Sequence, residues 1–401
     1  MSAIADSARR PPAPIPLTVI TGFLGAGKTT LLNRLLKAPE LADTVVLINE
    51  FGEIGLDHLL IERVDGDMIV MSSGCLCCTI RGDLIATLED LLRRRDNGRI
   101  APFARVVIET TGLADPAPIL HTIMYHPYLM LRFRLNGVVT LVDAVNGDAT
   151  LDAHAEAVKQ AAVADRLVIT KSDLVGDGAR LAALHGRLQD LNPTALRLDA
   201  ARGEAAAAGL FNLGLYDSDR KSPDVRKWLN AEALDEGHEH AEGHGHAERH
   251  VHEHDAAHEH EPHGRSHHHH DVNRHDARIH AFCLRYAAPM DVGAFDMFLE
   301  LMRTAHGERL LRMKGIVALA DDPSRPVVVH GVQHIFHPPV RLDAWPDGDH
   351  TTRIVFILRD MEPSFVEGLW RAFGNVASPD LPDRAAMIDN PLKPQGRGLL
   401  A

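Results

Sequence analysis

Cysteine is scarce in this chain, and three of its four cysteines are crowded into residues 75–78. Neighbouring Cα atoms restrict the geometry of an S–S bond, so Cys75, Cys77 and Cys78 are poorly placed to form disulfides with one another. Cys283 lies alone in an apolar run that is typical of a strand, which favours a buried, inert thiol. We therefore do not expect a disulfide-stabilised fold, and we interpret the crowded thiols as metal ligands.

The chain also lacks long apolar runs and an excess of basic charge. No run reaches the roughly 18 apolar residues of a membrane-spanning helix. Residues 1–16, rich in Pro and Ala, have no apolar core of a signal peptide. The formal net charge of −13 opposes binding to nucleic acid or to an anionic membrane. We expect a cytoplasmic protein with neither partner, and the acidic balance suits a protein that handles cations.

A phosphate-binding loop is the strongest motif in the chain. The apolar residues 17–20 predict a short strand, and the glycine-rich segment after it leads into a helix. Glycines let backbone N–H groups converge on phosphate oxygens, and the helix presents its positive end to them. Lys28 would neutralise phosphate charge, and the Thr29 hydroxyl would bind Mg²⁺. The residues predicted to bind nucleotide here are Gly22, Gly25, Ala26, Gly27, Lys28, Thr29 and Thr30.

A second nucleotide motif follows the predicted strand at residues 105–108. This strand ends in Glu109, which would hold Mg²⁺ or its water shell, and the Gly112 amide would contact the γ-phosphate. An acid at a strand tip followed by glycine is a weak signal alone, but it is fairly specific behind a phosphate loop. Lys28 and Glu109 are therefore the candidate catalytic residues.

The predicted strand at residues 166–169 ends in the residues that would select the base. Asp173 can accept two hydrogen bonds from the N1–H and amino group of guanine, while the stem of Lys171 packs on the base plane. Adenine lacks this pair of donors, so the motif that begins at Thr170 predicts GTP rather than ATP.

Two further loops are predicted at the same edge of the sheet. Residues 49–57, which follow a predicted strand at 44–48, are acidic and form our candidate switch loop, because ligands of open α/β sheets bind at the carboxyl ends of strands. The cysteines follow a strand at 67–71 and begin a helix that runs to about residue 95, whose dipole would lower their thiol pKa values. Two or three thiolates suit Zn²⁺ or a similar ion but need another ligand to complete the site.

The alternation of strands and helices up to about residue 200, including a helix at 151–164, predicts an α/β domain with a mostly parallel sheet. Between His238 and His275 the chain has 15 of its 26 histidines and almost no apolar residues. We expect this tract to be a disordered linker that binds divalent metals weakly. The predicted segments are a flexible N-terminus 1–16, a nucleotide domain 17–220, a histidine-rich linker 221–277, a C-terminal domain 278–375 and a tail 376–401.

The C-terminal segment predicts a smaller α+β domain. Helices at residues 292–306 and 362–373 alternate with four strand-like runs, which indicates two helices on an antiparallel sheet. His330, His334 and His337 are expected to lie close together near its third strand, where ordinary polar roles are favoured over shared metal binding.

With these motifs in place, the chain closely resembles the CobW-like GTPases, relatives of the hydrogenase and urease nickel-insertion GTPases that serve as metallochaperones. The resemblance covers nearly the whole chain, and its matching segments are 22–30, 49–53, 74–78, 109–116 and 170–173, the histidine-rich linker and the C-terminal domain. It implies a P-loop GTPase fold, Mg²⁺·GTP binding and slow hydrolysis. The metal ligands that it implies are Cys75, Cys77, Cys78, Glu53 and His126.

The segment 109–116 looks more like the zinc-associated branch of this family than the cobalamin branch. The resemblance therefore implies a zinc metallochaperone whose partners are GTP, a divalent metal and a client metalloprotein, and a nucleotide-dependent homodimer is left open. The alternatives are a cobalt (Co²⁺) or iron carrier of the same family, or a zinc buffer with a regulatory GTPase. Thr170 departs from the asparagine of many GTPases, so we expect the loss of a side-chain amide that holds the loop.

Overall fold

The computed structural model describes residues 13–35, 38–49, 60–64, 68–73, 80–211 and 278–374. They form an α/β unit and a second, antiparallel sheet with helices, which confirms the predicted fold class. Within the described ranges, none of the helices combines the length and the apolar character that crossing a bilayer demands.

The first sheet has eight strands in the order β3-β4-β2-β5-β1-β6-β7-β8. Seven of them run parallel, and β3 pairs with β4 antiparallel at the edge. Sequence patterns did not predict β3. The strands are β1 Ile15–Gly22, β2 Thr44–Asn49, β3 Leu60–Val64, β4 Met68–Ser73, β5 Arg105–Glu109, β6 Phe133–Asp143, β7 Arg166–Thr170 and β8 Leu196–Asp199.

Helices cover both faces of this sheet, which is why its central strands are almost continuously apolar. Val19 and Val106 face one core, while Ile20 and Val107 face the other, and all four side chains are fully buried. The helices are α1 Lys28–Leu35, α2 Ile80–Asp96, α3 Ala117–Tyr125, α4 Leu129–Arg132, α5 Gly147–Ala153, α6 Ala155–Ala162, α7 Gly178–Leu191 and α8 Ala207–Phe211.

The single helix predicted at residues 151–164 is wrong, because α5 and α6 are separated at His154. The backbone of His154 is extended, with φ −133° and ψ 110°. Its N–H still donates to the Thr150 carbonyl at 3.0 Å, and its carbonyl accepts from Ala157 N at 3.1 Å, so both helix ends keep a hydrogen bond. The imidazole stacks on Phe23 in the phosphate loop, with ring centroids 4.4 Å apart. This contact links the break in the helix to the loop.

The second sheet is antiparallel, in the order β12-β11-β10-β14-β9 with β13 paired to β11. Two helices cover one face around a core that contains Phe298, Phe356 and Trp370. Its elements are β9 Ile279–Tyr286, α9 Val292–His306, β10 Leu310–Val317, β11 Val327–Val332, β12 Ile335–Phe336, β13 Val340–Arg341, β14 Thr352–Arg359 and α10 Pro363–Phe373.

The opposite face of the second sheet packs against the α/β unit, where Leu311 and Ile357 share a core with residues of α6 and α7. A fully buried ion cluster lies at this contact. Asp165, just after α6, pairs with Arg312 and with Lys314 Nζ at 3.2 Å, and both cations lie on β10. Burial alone would raise the pKa of Asp165, but the two cations outweigh it and hold the pKa well below its usual range.

We predict that Asp165→Asn strongly destabilises the protein, because it leaves Arg312 buried without its counter-ion. The expected loss is about 3–5 kcal/mol in the free energy of unfolding at pH 7, which urea denaturation would measure. Glu300→Gln is the control, since it breaks an exposed pair with Arg303 and should leave the urea midpoint close to wild type. Equal effects of the two substitutions would contradict a stabilising role for the cluster.

Candidate nucleotide-binding site

The phosphate loop lies at the carboxyl edge of the first sheet, between β1 and α1. Gly22 ends the strand with φ +142°, and a Cβ at this position would lie 2.5 Å from the carbonyl oxygen of Leu141 on β6. Gly27 precedes the helix with φ +87°, a left-handed conformation that side chains disfavour. The strand, loop and helix therefore follow one another as the sequence predicts.

Lys28 begins α1 and is buried under the loop. Its Nζ donates to the carbonyl oxygens of Gly22 at 2.8 Å and Phe23 at 3.2 Å. Burial lowers the pKa of Lys28, and the charge of Glu109 opposes this shift only in part. The ammonium group is thus held within the loop, where a phosphate group would meet it.

Thr29 and Glu109 come together although 80 residues separate them. The Thr29 hydroxyl donates to Glu109 Oε1 at 3.0 Å, because parallel pairing of β1 with β5 aligns Ile20 with Glu109. Two ligands at right angles on one Mg²⁺ lie about 3 Å apart, given Mg–O distances of about 2.0–2.1 Å. A hydroxyl and a carboxylate at this separation fit the hard, octahedral preference of Mg²⁺.

Gly112 packs directly on the phosphate loop. A Cβ at Gly112 would lie 2.6 Å from the backbone nitrogen of Leu24, so only glycine permits this approach. On its other side, the buried side chain of Gln160 donates to the carbonyl oxygens of Gly112 and Ala114. Sequence patterns did not indicate Gln160, because one glutamine on an amphipathic helix carries no local signal.

The base-side motif is held to the phosphate loop by Thr170. Its hydroxyl donates to the carbonyl oxygen of Ala26 at 2.9 Å. Threonine lacks the side-chain amide of asparagine, as the sequence indicates, but its hydroxyl still anchors this loop to the backbone of Ala26. Asp173 is exposed in the single turn Ser172–Leu174 that follows.

Lys171 adopts a left-handed backbone conformation, with φ +58°. Its Nζ donates to Asp143 Oδ2 at 2.7 Å at the tip of β6. Burial alone would raise the pKa of Asp143, but hydrogen bonds from Lys171 and Asn146 outweigh it and lower the pKa. Asp143 is thus a second site residue that sequence patterns missed, although its place at a strand tip could have indicated it.

A further carboxylate, Asp199, supports the base-side loop from the end of β8. The Ser172 hydroxyl donates to Asp199 Oδ1 at 2.6 Å, and the Ala201 backbone N–H donates to the same oxygen at 2.9 Å. These bonds fix the loop that carries Asp173 against the next loop along the sheet.

Most of the predicted metal ligands, Glu53, Cys75, Cys77 and Cys78, lie outside the described residues, as does the histidine-rich tract. Among the residues that the structure does describe, no three His, Cys, Asp or Glu side chains come together as a metal site. The structure does describe the ends of the two strands that precede these segments in the sequence. Asn49 on β2 and Ser73 on β4 are register partners, and β2 also aligns with Glu109 on β5.

His126 is the one predicted zinc ligand that the structure describes. It follows α3 as the C-terminal cap residue. Its Nδ1 accepts a hydrogen bond from Leu129 N at 3.4 Å. Among the described residues, His126 takes part in no group of three possible metal ligands, and its metal role stays a prediction.

The three histidines expected to cluster in the second sheet are divided between two contacts. His330 and His337 stack with ring centroids 4.6 Å apart, whereas His334 faces His121 of α3 at 5.2 Å. Cys283 is half-buried rather than buried.

The fold and the phosphate loop are those of the P-loop GTPase fold class. Residues 16–198 match the CobW/HypB/UreG nucleotide-binding domain, and residues 279–374 match the cobalamin synthesis protein CobW C-terminal domain. The zinc chaperone YjiA of Escherichia coli is 31% identical over 323 residues, which cover 80% of this chain and 87% of YjiA. The chain therefore belongs to the CobW family of nucleotide-binding proteins.

Other relatives carry related names. The zinc chaperone CobW of a Sinorhizobium species is 33% identical, over 58% of this chain and 72% of its own. The zinc-regulated GTPase metalloprotein activator 1 of Schizosaccharomyces pombe is 36% identical, over 52% of this chain and 51% of its own. The crystal structure of the Zn(II)-bound YjiA GTPase from E. coli superposes with a TM-score of 0.64 at 27% identity, covering 90% of this chain and 99% of YjiA.

Proposed function

We propose that this protein is a GTP-hydrolysing metallochaperone that binds zinc and delivers it to client proteins under control of the bound nucleotide. The observation that carries this proposal is the 3.0 Å contact between Thr29 Oγ1 and Glu109 Oε1, because it creates an oxygen-ligand pair beside the phosphate loop. The zinc-chaperone names of the relatives support the choice of metal.

The nucleotide chemistry follows from residues around the loop. Lys28 would neutralise charge on the β- and γ-phosphates, and the amide of Gly112 would contact the γ-phosphate. Thr29 and Glu109 would hold Mg²⁺, which supplies further neutralisation of the phosphate oxygens when bound. Asp173 would accept from the guanine edge. The hydrogen bonds of Thr170 and Lys171 support this role, because they fix the loop that carries Asp173.

Zinc would be held by Cys75, Cys77, Cys78 and Glu53. The segments that carry them follow β2 and β4, whose ends are adjacent in register and lie on the same edge as Glu109. A switch loop at residues 49–57 that orders around GTP would thus bring Glu53 to the thiolates. A reducing cytoplasm suits this site, because it keeps the thiols available for metal.

We further propose two domains, 17–220 and 278–375, joined by the histidine-rich linker. The 15 histidines of the tract between His238 and His275 make a zinc buffer the rival function. Deletion of this tract separates the two, because a buffer would lose most of its bound metal while a chaperone would keep one tightly bound ion. Competition with Co²⁺ and iron at the cysteines would test the choice of metal.

The first prediction for this function concerns the phosphate loop. Lys28→Ala should slow GTP hydrolysis by about a hundred-fold or more, because it removes a fixed charge from the transferring phosphoryl group. Phosphate release would measure the rate. Arg325→Ala, which removes an exposed cation paired with Asp343 in the second sheet unit, is the control and should leave the rate unchanged. Hydrolysis at the wild-type rate in Lys28→Ala would refute the assignment of the loop.

The second prediction concerns the base. Asp173→Asn replaces an acceptor with a donor at the guanine edge, so the ratio of xanthosine to guanosine triphosphate affinity should rise about ten-fold or more. Asp177→Asn is the matched control, because Asp177 caps α7 and asparagine caps equally well. An unchanged preference in Asp173→Asn would remove Asp173 from the base site.

The third prediction is that zinc and nucleotide bind cooperatively. If GTP orders Glu53 as a zinc ligand, a non-hydrolysable GTP analogue should tighten zinc binding by about 5 to 150-fold. Zinc should then tighten binding of the analogue by the same factor. Competitive zinc titration of a tract-deleted chain with no nucleotide, with GDP and with the analogue would measure this factor.

Cys77→Ala and Glu53→Ala should each abolish the zinc–nucleotide coupling, whereas Cys283→Ala should preserve it, since Cys283 lies on β9 of the second sheet. Equal zinc affinity in all three nucleotide states would rule out a GTP-gated carrier and leave the buffer as the better function.

A further inference from the structure

Gln160 connects α6 to the segment that follows β5. The side chain is 1% exposed. Its Nε2 donates to the carbonyl oxygens of Gly112 at 3.1 Å and Ala114 at 2.9 Å, and the backbone carbonyl of Gln160 accepts from the Thr140 hydroxyl at 2.7 Å. Carbonyl oxygens only accept hydrogen bonds, so the amide nitrogen must face them and Oε1 must point elsewhere.

Two parts of the structure therefore contact the segment 112–114, namely the phosphate loop and Gln160. The phosphate loop blocks one side, where a Cβ on Gly112 would collide with Leu24 N. Gln160 contacts the segment through its side-chain amide, which donates to the carbonyl oxygens of Gly112 and Ala114. These bonds fix the backbone directly after the Gly112 amide, which is the group expected to contact the γ-phosphate.

A cavity of about 240 Å³ lies beside this contact, between the phosphate loop and the tip of β6. Its walls include Leu24, Asp143, Gln160 and Lys171. Gln160 Oε1 is buried and has no hydrogen-bond partner among the described residues. The amide is thus oriented by the two bonds that its nitrogen donates, while its oxygen has no protein partner among the described residues.

We propose that Gln160 is a positioning residue for γ-phosphate recognition, which holds the Gly112–Ala114 carbonyls so that the Gly112 amide stays against the phosphate loop. This proposal rests on the proposed GTPase function. Gln160 acts through Gly112 and does not touch the nucleotide itself. Its loss should therefore affect ligands that carry a γ-phosphate and spare GDP, which lacks one.

The test compares Gln160→Met with wild type in the full chain. Methionine keeps the length and shape of the side chain but removes the amide donors, so the carbonyl oxygens of Gly112 and Ala114 lose this partner. The affinity for a non-hydrolysable GTP analogue should fall about 5 to 50-fold, and kcat for GTP should fall about ten-fold or more, from the loss of two neutral hydrogen bonds. The affinity for GDP should stay within about two-fold of wild type.

Two further variants sharpen the result. Gln160→Glu keeps the shape but places a carboxylate oxygen against two carbonyl oxygens, so it should reduce analogue binding at least as much as methionine does. Gln189→Met makes the same change on the neighbouring helix α7 and should leave both affinities unchanged. Urea unfolding of each variant measures any general loss of stability.

Equal losses of GDP and analogue affinity in Gln160→Met, or no loss of either, would overturn the positioning role while leaving the GTPase function intact. The ratio of analogue to GDP affinity needs no turnover, so it tests Gln160 even if hydrolysis by the wild-type chain is slow. A wild-type chain that binds neither nucleotide would overturn the proposed function, and this role with it.

Discussion

The parallel pairing of β1 with β5 is the constraint on which the nucleotide site depends. It aligns Ile20 with Glu109, so the helix that starts after β1 presents Thr29 to a carboxylate 80 residues further along the chain. β6 pairs with the other side of β1, and there the backbone of Leu141 leaves no room for a side chain at Gly22. Because all three strands point the same way, their carboxyl ends form one edge, and the phosphate loop lies at its centre.

Helix α6 joins this edge to the second sheet. Gln160 holds the segment after β5, and Asp165, three residues past the helix end, pairs with Arg312 of β10. A second link bypasses the helix, because Gln333 Nε2 donates to Asp115 Oδ2 at 3.4 Å and the Tyr125 hydroxyl accepts from Phe336 N at 3.2 Å. The segment expected to contact the γ-phosphate is thus bordered by both parts of the structure.

Sequence patterns predicted those features that local chemistry determines. The phosphate loop follows from glycine spacing, and α9 has the predicted bounds, with Asp291 capping its start. The features that were missed depend on distant partners. The hydroxyl of Thr170 bonds to the carbonyl of Ala26, which lies 144 residues away in the sequence. The break at His154 accompanies stacking on Phe23. Gln160 bonds to Gly112 only because α6 packs beside it. No short window of sequence contains both members of such pairs.

The strengths of these links indicate which of them can yield when nucleotide binds. A buried ion pair such as Asp165 with Arg312 resists separation by about 3–5 kcal/mol, since either charge alone would stay buried. The contacts of the Asp115 carboxylate with Lys159 at 3.6 Å and with Gln333 at 3.4 Å are longer and partly exposed, and partly exposed contacts of a charged group contribute about 1 kcal/mol or less each. The coupling free energy between two ligand sites is typically about 1–3 kcal/mol. This is enough to change the contacts of Asp115 but not to separate Asp165 from Arg312. We therefore expect the second sheet to stay attached at Asp165 while the contacts of Asp115 with Lys159 and Gln333 change.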